Sequence, residues 1–554
     1  MNRRRSLPIL VVCFFLGVAA IWSASSLAQL PDRTRNPNTA NAGIAKSLDQ
    51  QIGDGAGDTV TPNTSRFIIA RDPFRAIRRG RQLFQRKFTR DQGQGPLTGD
   101  GDGKTNIETD IIIGAGLADS CAACHGRPKG SAGSGGDVVT RPDSRDAPHL
   151  FGLGLKEMLA DEITAELRAI RADAIKDARR DRRNVTRTLK TSPGKGSVYY
   201  GAITARPDGS VDTSRVDGVN PDLRVRPFFL HGDTISIREF LVGAFNAEMG
   251  LEAVDPELRA AAGTDRFVTP SGMALDGRFD AIEAPPVNDR FEDSDRDGVV
   301  NEIPTSLVDF MEFYLLHYFK PGLGEGSAEP FPHGSGYTGG PSGEVIDGLS
   351  QFKQIGCASC HIQNLTINRD RRVADVETRY DPFRGNPINN LFATATAFSS
   401  QVNDGKGFPT IKRPNFGSFV VRNIFTDFKR HDLGPNFHEI NYDGSIRREF
   451  LTTPLWGVGS TAPYGHDGRS MTLKDVILRH GGEADDARDR FAAASRGTQR
   501  NIIMFLNTLI LFPPDDTASN LPGGAAFPGT PGYPQFGHGS IRLAGLFNDP
   551  NDPE

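Results

Sequence analysis

The chain has 554 residues, of which 37% are hydrophobic and 24% are charged, so it is long enough for two or more domains that each bury a core. Its 62 glycines and 37 prolines predict that loops make up much of the structure. The formal net charge is −4, and a mildly acidic chain does not indicate a nucleic-acid partner.

Residues 1–28 have the three parts of a secretory signal peptide. Arg3 to Arg5 form a basic start, Ile9 to Trp22 is almost wholly apolar, and Ser26-Leu27-Ala28 offers small residues for cleavage. An uncleaved anchor helix is the alternative, but the apolar run is shorter than the ~20 residues that a membrane span needs. We therefore predict cleavage, a periplasmic or secreted protein, and no membrane span in the mature chain.

All four cysteines outside this segment belong to two copies of the pattern C-x-x-C-H. The copies are Cys121-Ala-Ala-Cys124-His125 and Cys357-Ala-Ser-Cys360-His361, and the fifth cysteine, Cys13, leaves with the signal peptide. Disulfides or zinc sites are the alternatives, but neither explains a histidine directly after each second cysteine. The pattern is the attachment signal of haem c, in which the thiols add to the porphyrin and the histidine binds the iron. We predict two covalently bound haem c groups.

The arrangement of segments predicts two similar halves. Short helices are predicted at Arg79–Phe84 and Gly348–Phe352, each ahead of one cysteine motif, and this weak internal repeat predicts one cytochrome c-like domain in each half. The predicted units are a signal peptide at 1–28, an extended arm at 29–65, an N-terminal haem domain with the reaction site at 66–340, a C-terminal electron-transfer domain at 341–520 and a loop-rich tail at 521–554.

Further helices follow from the spacing of apolar residues. A surface helix is predicted at 161–181, a buried aromatic helix at 306–319, and two closing helices at 472–479 and 498–511. A Gly/Pro/Ser-rich stretch at 321–343 predicts an interdomain linker. Because no segment predicts a sizeable β-sheet, the predicted fold is mainly α-helical, with two cytochrome c-like haem domains, long loops and insertions.

One acidic loop has the composition of a calcium site. Asp293, Asp295, Asp297 and Asn301 offer oxygen ligands at the spacing of a calcium loop that also has a glycine turn. The twelfth position is Pro304 rather than the glutamate of a full EF-hand, so a solvated acidic turn is the alternative. We predict that this loop binds Ca²⁺.

Several longer segments resemble one family of haem proteins. Thr461-Ala-Pro-Tyr-Gly-His466-Asp-Gly-Arg469 is similar to the T-A-P-Y-x-H-D-G segment of bacterial di-haem cytochrome c peroxidases and their MauG relatives. Within that superfamily the chain resembles the di-haem oxidoreductase branch, and the bacterial rubber oxygenase shares much of the pattern. The segments that narrow the branch are Arg145–Gly154, Asp427–Pro435, Thr453–Gly457 and His480–Ala484.

The resemblance implies an iron ligand for the second haem. In the family's peroxidases a methionine lies fourteen residues after the histidine of the H-D-G segment and ligates the electron-transfer haem, and the residue fourteen after His466 is His480. Ligation by His361 and His480 is therefore implied, which lowers the reduction potential relative to a thioether ligand. A histidine that only caps its helix is one alternative, and Met471 as the ligand is another.

For the first haem the resemblance implies an open iron position. The family's peroxidases carry a blocking loop histidine sixteen residues after the motif histidine, and Arg141 stands there in this chain. An open position permits peroxide or O₂ to bind, whereas a filled one favours electron transfer. Filling of the position by another histidine, such as His231, is the alternative.

The resemblance also implies a catalytic residue. Glu248-Met249-Gly250 matches the segment that holds the family's catalytic glutamate, a carboxylate that can move the peroxide proton to the leaving oxygen. A solvated surface glutamate is the alternative. Departures from the family nearby predict a pocket more apolar than a peroxidase needs, which favours an apolar substrate or O₂ chemistry. The phenylalanines of this pocket are Phe228, Phe229, Phe240 and Phe245.

Three further residues match family positions. Trp456 is predicted to lie between the haems and assist electron transfer, with a core position beside the second haem as the alternative. Thr461 and Pro463 match positions that supply backbone carbonyls to a Ca²⁺ ion between the family's two haem domains.

These inferences predict an exported oxidoreductase that reduces H₂O₂ at the first haem and receives electrons through the second. A small cytochrome or cupredoxin is the expected electron donor. The alternatives are a dioxygenase that uses O₂ to cleave an apolar polyene, as the rubber oxygenase does, and a non-catalytic di-haem electron carrier.

Overall fold

The computed structural model describes residues 47–89, 94, 118–126, 132–133, 146–253, 255–285, 302–317, 320–322, 343–372, 376–379, 392–394, 396–397, 417–441, 444–509 and 540–542. The predicted signal peptide, Arg141 and the acidic loop from Asp293 to Asn301 lie outside these residues. The helices within the described residues are α1 (Leu48–Ile52), α2 (Ser65–Arg71), α3 (Pro73–Gln85), α4 (Cys121–His125), α5 (Leu153–Asp181), α6 (Ile237–Met249), α7 (Pro256–Ala262), α8 (Thr305–His317), α9 (Gly343–Gln354), α10 (Leu473–Arg479), α11 (Asp485–Ala493) and α12 (Arg496–Asn507).

The strands form one three-stranded sheet, one five-stranded sheet and four two-stranded ribbons among the described residues. The strands are β1 (Val185–Lys190), β2 (Tyr199–Ala205), β3 (Val211–Val216), β4 (Arg266–Val268), β5 (Ala274–Asp276), β6 (Lys320–Gly322), β7 (Leu365–Ile367), β8 (Val376–Arg379), β9 (Phe392–Thr394), β10 (Thr396–Ala397), β11 (Phe419–Val421), β12 (Arg430–Asp432), β13 (Glu439–Ile440), β14 (Ile446–Arg447), β15 (Glu449–Leu451) and β16 (Ser540–Arg542). The three-stranded sheet is antiparallel, in the order β1-β2-β3, and the five-stranded sheet is mixed, in the order β10-β8-β9-β16 with β6 beside β8. The ribbons are β4-β5, β7-β11, β12-β15 and β13-β14.

The prediction of a mainly α-helical fold is wrong. The described residues are 43% helix and 14% strand, so the fold is mixed α/β. The largest structure that the sequence analysis did not predict is the sheet β1-β2-β3. Its strands are rich in β-branched and aromatic residues, which fit a pleated, half-buried surface. A turn around Pro207-Asp208-Gly209, closed by the Arg206 N–H bond to the Ser210 carbonyl at 2.9 Å, joins two of these strands. That turn chemistry between two β-branched runs is a hairpin signal in the sequence.

The two helices that precede the cysteine motifs occupy equivalent places in the two halves. A Cβ atom at Gly80 of α3 would overlap the Phe310 carbonyl of α8, and a Cβ atom at Gly348 of α9 would overlap the Asn501 carbonyl of α12. Glycine thus allows each helix to cross its partner at backbone contact. Four residues later in each helix, Phe84 and Phe352 are almost fully buried. The internal repeat therefore corresponds to two helix pairs with the same packing.

The other predicted helices are present with shifted ends. The helix predicted at 161–181 is the longer α5, whose first turns are buried and whose last turns are exposed. The one predicted at 306–319 is α8, in which every residue after Thr305 is buried. Within the predicted arm, Ser47 caps α1 in a reciprocal pair with Gln50, and Leu48 is fully buried.

Two clusters of buried apolar side chains form the cores. The larger one gathers residues from α1 to α8 and from the sheet β1-β2-β3, and it also takes in β7, β11 and Trp456 from the C-terminal half. The smaller one lies around α9 and α12 and includes Phe425. Within the described part of the chain, no helix combines the length and apolar character needed to cross a bilayer.

Candidate haem sites

The first cysteine motif opens onto a cavity of about 210 Å³. Cys121, Cys124 and His125 all line it, and the motif itself is the short helix α4. The remaining walls come from α3, from the loop 146–151, from the start of α5, from the Phe228–Phe229 turn and from α6. Leu315 of α8 and, from the C-terminal half, Thr453 and Pro454 complete the lining, so segments far apart in the sequence enclose the first motif.

His125 is held in one orientation by the backbone. Its Nδ1 lies 2.9 Å from the Pro148 carbonyl oxygen, to which it donates a hydrogen bond. This bond selects the tautomer in which Nε2 carries a lone pair, as is usual for an iron-binding histidine. Burial lowers the pKa of His125 to about 4, so the imidazole is neutral at pH 7. The ring is thus prepared to bind a metal through Nε2.

The cavity wall is mainly apolar and includes the four phenylalanines that the sequence predicted. Phe228, Phe229, Phe240 and Phe245 all line the cavity. Phe229 and Phe240 pack with ring centroids 4.7 Å apart, and Phe245 is almost fully buried. An apolar molecule could therefore bury surface here, whereas a small polar oxidant would find few partners.

Glu248 lies in the same cavity wall. It sits in the last turn of α6. Ser236 caps the start of this helix by accepting the Glu239 N–H, and Gly250, in the left-handed conformation, caps its end. Glu248 lies close enough to Cys124 to raise the pKa of that thiol, after the larger effect of burial. The fold therefore brings this glutamate, which the family match singled out, to the first motif across more than a hundred residues of sequence.

A buried ionic cluster fixes the helix that carries Glu248. Arg238 of α6 is fully buried and reaches three fully buried carboxylates, at 2.6 Å from Asp255, 2.6 Å from Asp309 and 3.1 Å from Glu312. The cluster joins α6 to α8 and to the cap of α7. Because one guanidinium offsets three acids, its removal would leave uncompensated buried charge.

The rival histidines for the first site use their ring nitrogens elsewhere. His231 Nε2 lies 3.0 Å from Asp233 Oδ2. His149 lines the cavity, but its Nδ1 accepts the Phe151 N–H at 3.3 Å and its ring also hydrogen-bonds to the backbone of Trp456. His231 is thus engaged through Nε2, and His149 through Nδ1 and its bond to the Trp456 backbone.

The second motif adopts a tight turn after α9. Cys357 to Ser359 form a single 3₁₀ turn, and His361 follows with its Nδ1 3.1 Å from the Phe425 carbonyl oxygen. Burial lowers the pKa of His361 to about 4. Phe352, Phe425 and Phe505 pack edge to face beside this histidine. The second histidine thus has the same tautomer and the same kind of support as His125.

His480 faces the same region as His361. Its Nδ1 donates to the Val476 carbonyl oxygen at 2.6 Å, and it is the residue that ends α10. It therefore caps its helix through one nitrogen, and within the described residues no partner is found for Nε2. His480 lies close enough to His361 to lower the pKa of that imidazole, an effect smaller than burial. Met471, by contrast, is 70% exposed, which removes it as a rival.

The loop that carries Trp456 lies between the two motifs. Thr453 and Pro454 line the first cavity, while the Leu455 N–H donates to the Ile424 carbonyl at 3.0 Å, next to the residue that holds His361. Trp456 itself is buried and belongs to the larger core. Its placement is compatible both with a core role and with a position between the two sites.

The residues predicted to bind calcium are described only in part. Thr461 and Pro463 lie in a turn that contacts the N-terminal half, since the Asp146 N–H donates to the His466 carbonyl at 3.0 Å. The acidic loop from Asp293 to Asn301 lies outside the described residues. Directly after it, Glu302 is buried and accepts the Glu252 N–H at 2.6 Å.

Residues 396–509 match the family model described as "Di-haem oxidoreductase, putative peroxidase". The resemblance to the di-haem oxidoreductases is confirmed. The di-haem oxidoreductase segment contains Trp456, Thr461, Pro463 and His480, and both cysteine motifs precede it. Haem is the cofactor that this family implies, and oxidation–reduction is its reaction class.

Comparisons with solved structures and with curated proteins do not identify a second family. A structure of the hydrazine synthase of Kuenenia stuttgartiensis, pressurised with xenon, is similar at 13% identity, with a TM-score of 0.22. The match covers 38% of this chain and 57% of that chain, so this chain spans little more than half of its length. A likeness of this size does not define the fold. A search of the curated proteins finds no match.

The sequence analysis did not identify one residue of the first cavity. Lys156, in the first turn of α5, lines the first cavity with its Nζ 5.5 Å from the Phe228 ring centre. Burial lowers its pKa to about 8, and within the described residues it has no carboxylate partner. An anionic group in the cavity, such as a haem propionate, would supply one. A lone lysine in an apolar helix start carries no sequence signal for this position.

Proposed function

We propose that this protein is an exported di-haem c oxidoreductase that reduces H₂O₂ at the first motif, with electrons relayed through a bis-histidine haem at the second. The observation that carries the proposal is the cavity at the first motif, which brings two cysteines and His125 together with Glu248. The same cavity lining fits a covalently held haem, because both thiols and His125 line one space.

The residues at the first motif have different roles in this proposal. Cys121 and Cys124 would hold the macrocycle through thioether bonds, and His125 would bind the iron, oriented by the Pro148 carbonyl. When bound, the haem supplies an iron position at which peroxide can bind and electrons can be delivered. Glu248 would take the proton of the bound peroxide oxygen and return it to the leaving oxygen, so that two electrons and two protons yield two waters.

The second motif would serve electron transfer. His361 and His480 have the same support, a backbone carbonyl at Nδ1, and both leave Nε2 for an axial bond. A filled coordination sphere favours electron transfer over binding of an oxidant. Electrons would come from a small cytochrome or cupredoxin and pass the loop of Trp456 towards the first site.

The aromatic wall favours a second candidate function. Four phenylalanines around the first motif suit an apolar polyene that is cleaved with O₂, rather than H₂O₂. The two functions are separated by incubating the purified protein with H₂O₂ and a reduced small cytochrome, and separately with O₂ and an apolar polyene. Consumption of O₂ with polyene cleavage, but no oxidation of the donor by peroxide, would reject the peroxidase.

The covalent attachment has a direct test. We expect the mature protein to exceed its polypeptide mass by two haem groups, because each motif offers two thiols and a histidine. The double substitution Cys357→Ser and Cys360→Ser should leave one haem, and the same change at Cys121 and Cys124 should also leave one. A mass without haem, from cells that mature c-type cytochromes, would contradict the attachment.

The ligand role of His480 is tested by spectroscopy. His480→Ala is expected to convert one low-spin haem to high spin and to leave the other haem unchanged, because only one axial imidazole is lost. Electron paramagnetic resonance and the absorption spectrum report both signals. Met471→Ala changes an exposed neighbour on the same segment and should leave the spectrum unaltered. An intact low-spin signal in the His480 variant would mean that another group binds the iron.

The remaining parts of the proposal concern location and calcium. The basic and apolar start of the chain supports export to the periplasm or the exterior. The acidic loop at Asp293–Asn301 and the turn of Thr461 and Pro463 are proposed Ca²⁺ sites. Chelation with EGTA should lower the melting temperature, and an unchanged melting curve would favour a solvated turn.

A further inference from the structure

A buried histidine near the second motif bridges two acids. His431 on β12 donates from Nδ1 to Glu483 Oε2 at 2.8 Å and from Nε2 to Asp427 Oδ2 at 2.9 Å. Both carboxylates are acceptors, so both ring nitrogens carry protons and the ring is an imidazolium. Burial alone lowers the pKa of His431, but hydrogen bonds to Asp427, Cys360 and Glu483 outweigh it and raise the pKa to about 12.

The imidazolium lies beside the second cysteine motif. Potential ligand atoms of Cys360, Asp427 and His431 are all within 4.8 Å of one another, a spacing that a metal ion could also use. A metal is disfavoured because both nitrogens of His431 already act as donors. Under the proposed function Cys360 carries a thioether, which would place this positive charge next to the edge of the second haem.

The two acids sit on the segments that orient the proposed axial histidines. Asp427 lies two residues after Phe425, whose carbonyl holds His361 Nδ1 at 3.1 Å. Glu483 lies three residues after His480, and its Oε1 also accepts the Asp432 N–H at 3.0 Å. Close to this link, the Gly481 N–H donates to the Leu433 carbonyl at 2.9 Å. Through His431, the support of one histidine is joined to the support of the other.

We propose that His431 is a positioning residue that fixes His361 and His480 relative to each other and raises the reduction potential of the second haem. This inference rests on the proposed function, since it assumes haem at the second motif. A cation near the iron favours the reduced state, which carries one more electron. Without His431 the two acids remain, and the site becomes more negative by one charge. Lys429, on the same segment, cannot replace it because it is paired with Asp217.

A matched pair of variants tests the inference on the holoprotein. His431→Gln removes the positive charge of the imidazolium and one of its two hydrogen bonds to Asp427 and Glu483. His438→Gln removes a histidine that pairs with Asp432 at 2.8 Å, one segment further from the motif. We expect the His431 variant to show a lower midpoint potential of the second haem and an altered low-spin resonance. The first haem in that variant, and both haems in the His438 variant, should keep wild-type values.

The outcomes separate this inference from the proposed function. A His431→Gln protein with two haems, wild-type potential and unchanged resonance would overturn the positioning role, whatever the peroxide activity. If that variant does not accumulate with haem, Glu483→Gln decides by the same two measurements. It weakens the link from His431 to the segment of His480 and removes one negative charge, so the midpoint potential of the second haem should rise and its low-spin resonance should change. Wild-type values of both would overturn the positioning role. Peroxide inactivity of the wild-type protein, together with a shifted potential in His431→Gln, would reject the peroxidase and retain the inference.

Discussion

Replacement of Glu248 by glutamine is expected to lower the rate of reaction with H₂O₂ by a factor of about 10² to 10⁴, the usual contribution of a positioned acid–base group. Glutamine keeps the size of the side chain in the wall of the first cavity but cannot accept the peroxide proton. Since the residue lies in the last turn of α6, ahead of the Gly250 stop, the substitution should leave the helix intact. Stopped-flow mixing with H₂O₂ measures the rate directly.

The control for this prediction is Glu344→Gln, the same change at a glutamate of α9 that pairs with Arg500 at the surface. It should leave the peroxide rate unchanged. If the protein is instead an oxygenase, Glu248→Gln should keep most of the activity on an apolar polyene, whereas Phe240→Ala or Phe245→Ala should reduce it. A peroxide rate unaffected by Glu248→Gln would exclude the acid–base role and favour the oxygenase.

Substitution of Arg238 by methionine is expected to lower the free energy of unfolding by about 3 to 5 kcal/mol, because it breaks a buried ionic cluster from one side. Methionine keeps much of the length of the side chain, but Asp255, Asp309 and Glu312 stay buried without their common cation. The variant should also bind peroxide less productively, since the cluster holds the helix of Glu248. Denaturant unfolding, followed by circular dichroism, gives the change.

The loss of unfolding free energy in the Arg238 variant should depend on pH. Burial already raises the pKa of Glu312 to about 7, although Arg238 lowers it, so loss of the arginine raises it further. A carboxyl group whose pKa is higher in the folded state than in the unfolded state makes the folded protein less stable as the pH rises. The Arg238 variant should therefore be less stable at pH 8 than at pH 5. Arg278→Met, at an exposed arginine paired with Asp276, should change little, and a similar loss there would mean that burial is not the cause.

The two candidate attachment sites can be recognised in the sequence because their pattern is local. A thiol, two spacers, a second thiol and a histidine fit on one turn of chain, so Cys121 to His125 and Cys357 to His361 need no tertiary structure to be recognised. The helices before the motifs could also be predicted from local sequence. In each of them a glycine allows close contact with a second helix, and a phenylalanine four residues later is buried.

The mixed fold could not be predicted in the same way. The strands β1 to β3 lie in a region where the family pattern is weak, and their alternation is interrupted by register shifts between β1 and β2 and between β2 and β3. The short strands of the C-terminal half have two to four residues each, too few for a period to show. Pairing with distant segments, rather than intrinsic preference, makes them strands.

By itself, the sequence determined which residues are candidates to bind iron and which family the C-terminal segment resembles. Only the tertiary structure decided that Glu248 and Lys156 line the first cavity, and that His431 joins two acids beside Cys360. The physical reason is separation along the chain. Ligand type and spacing are properties of neighbouring residues, whereas burial, charge compensation and the choice of histidine tautomer depend on segments that only folding brings within a few ångströms.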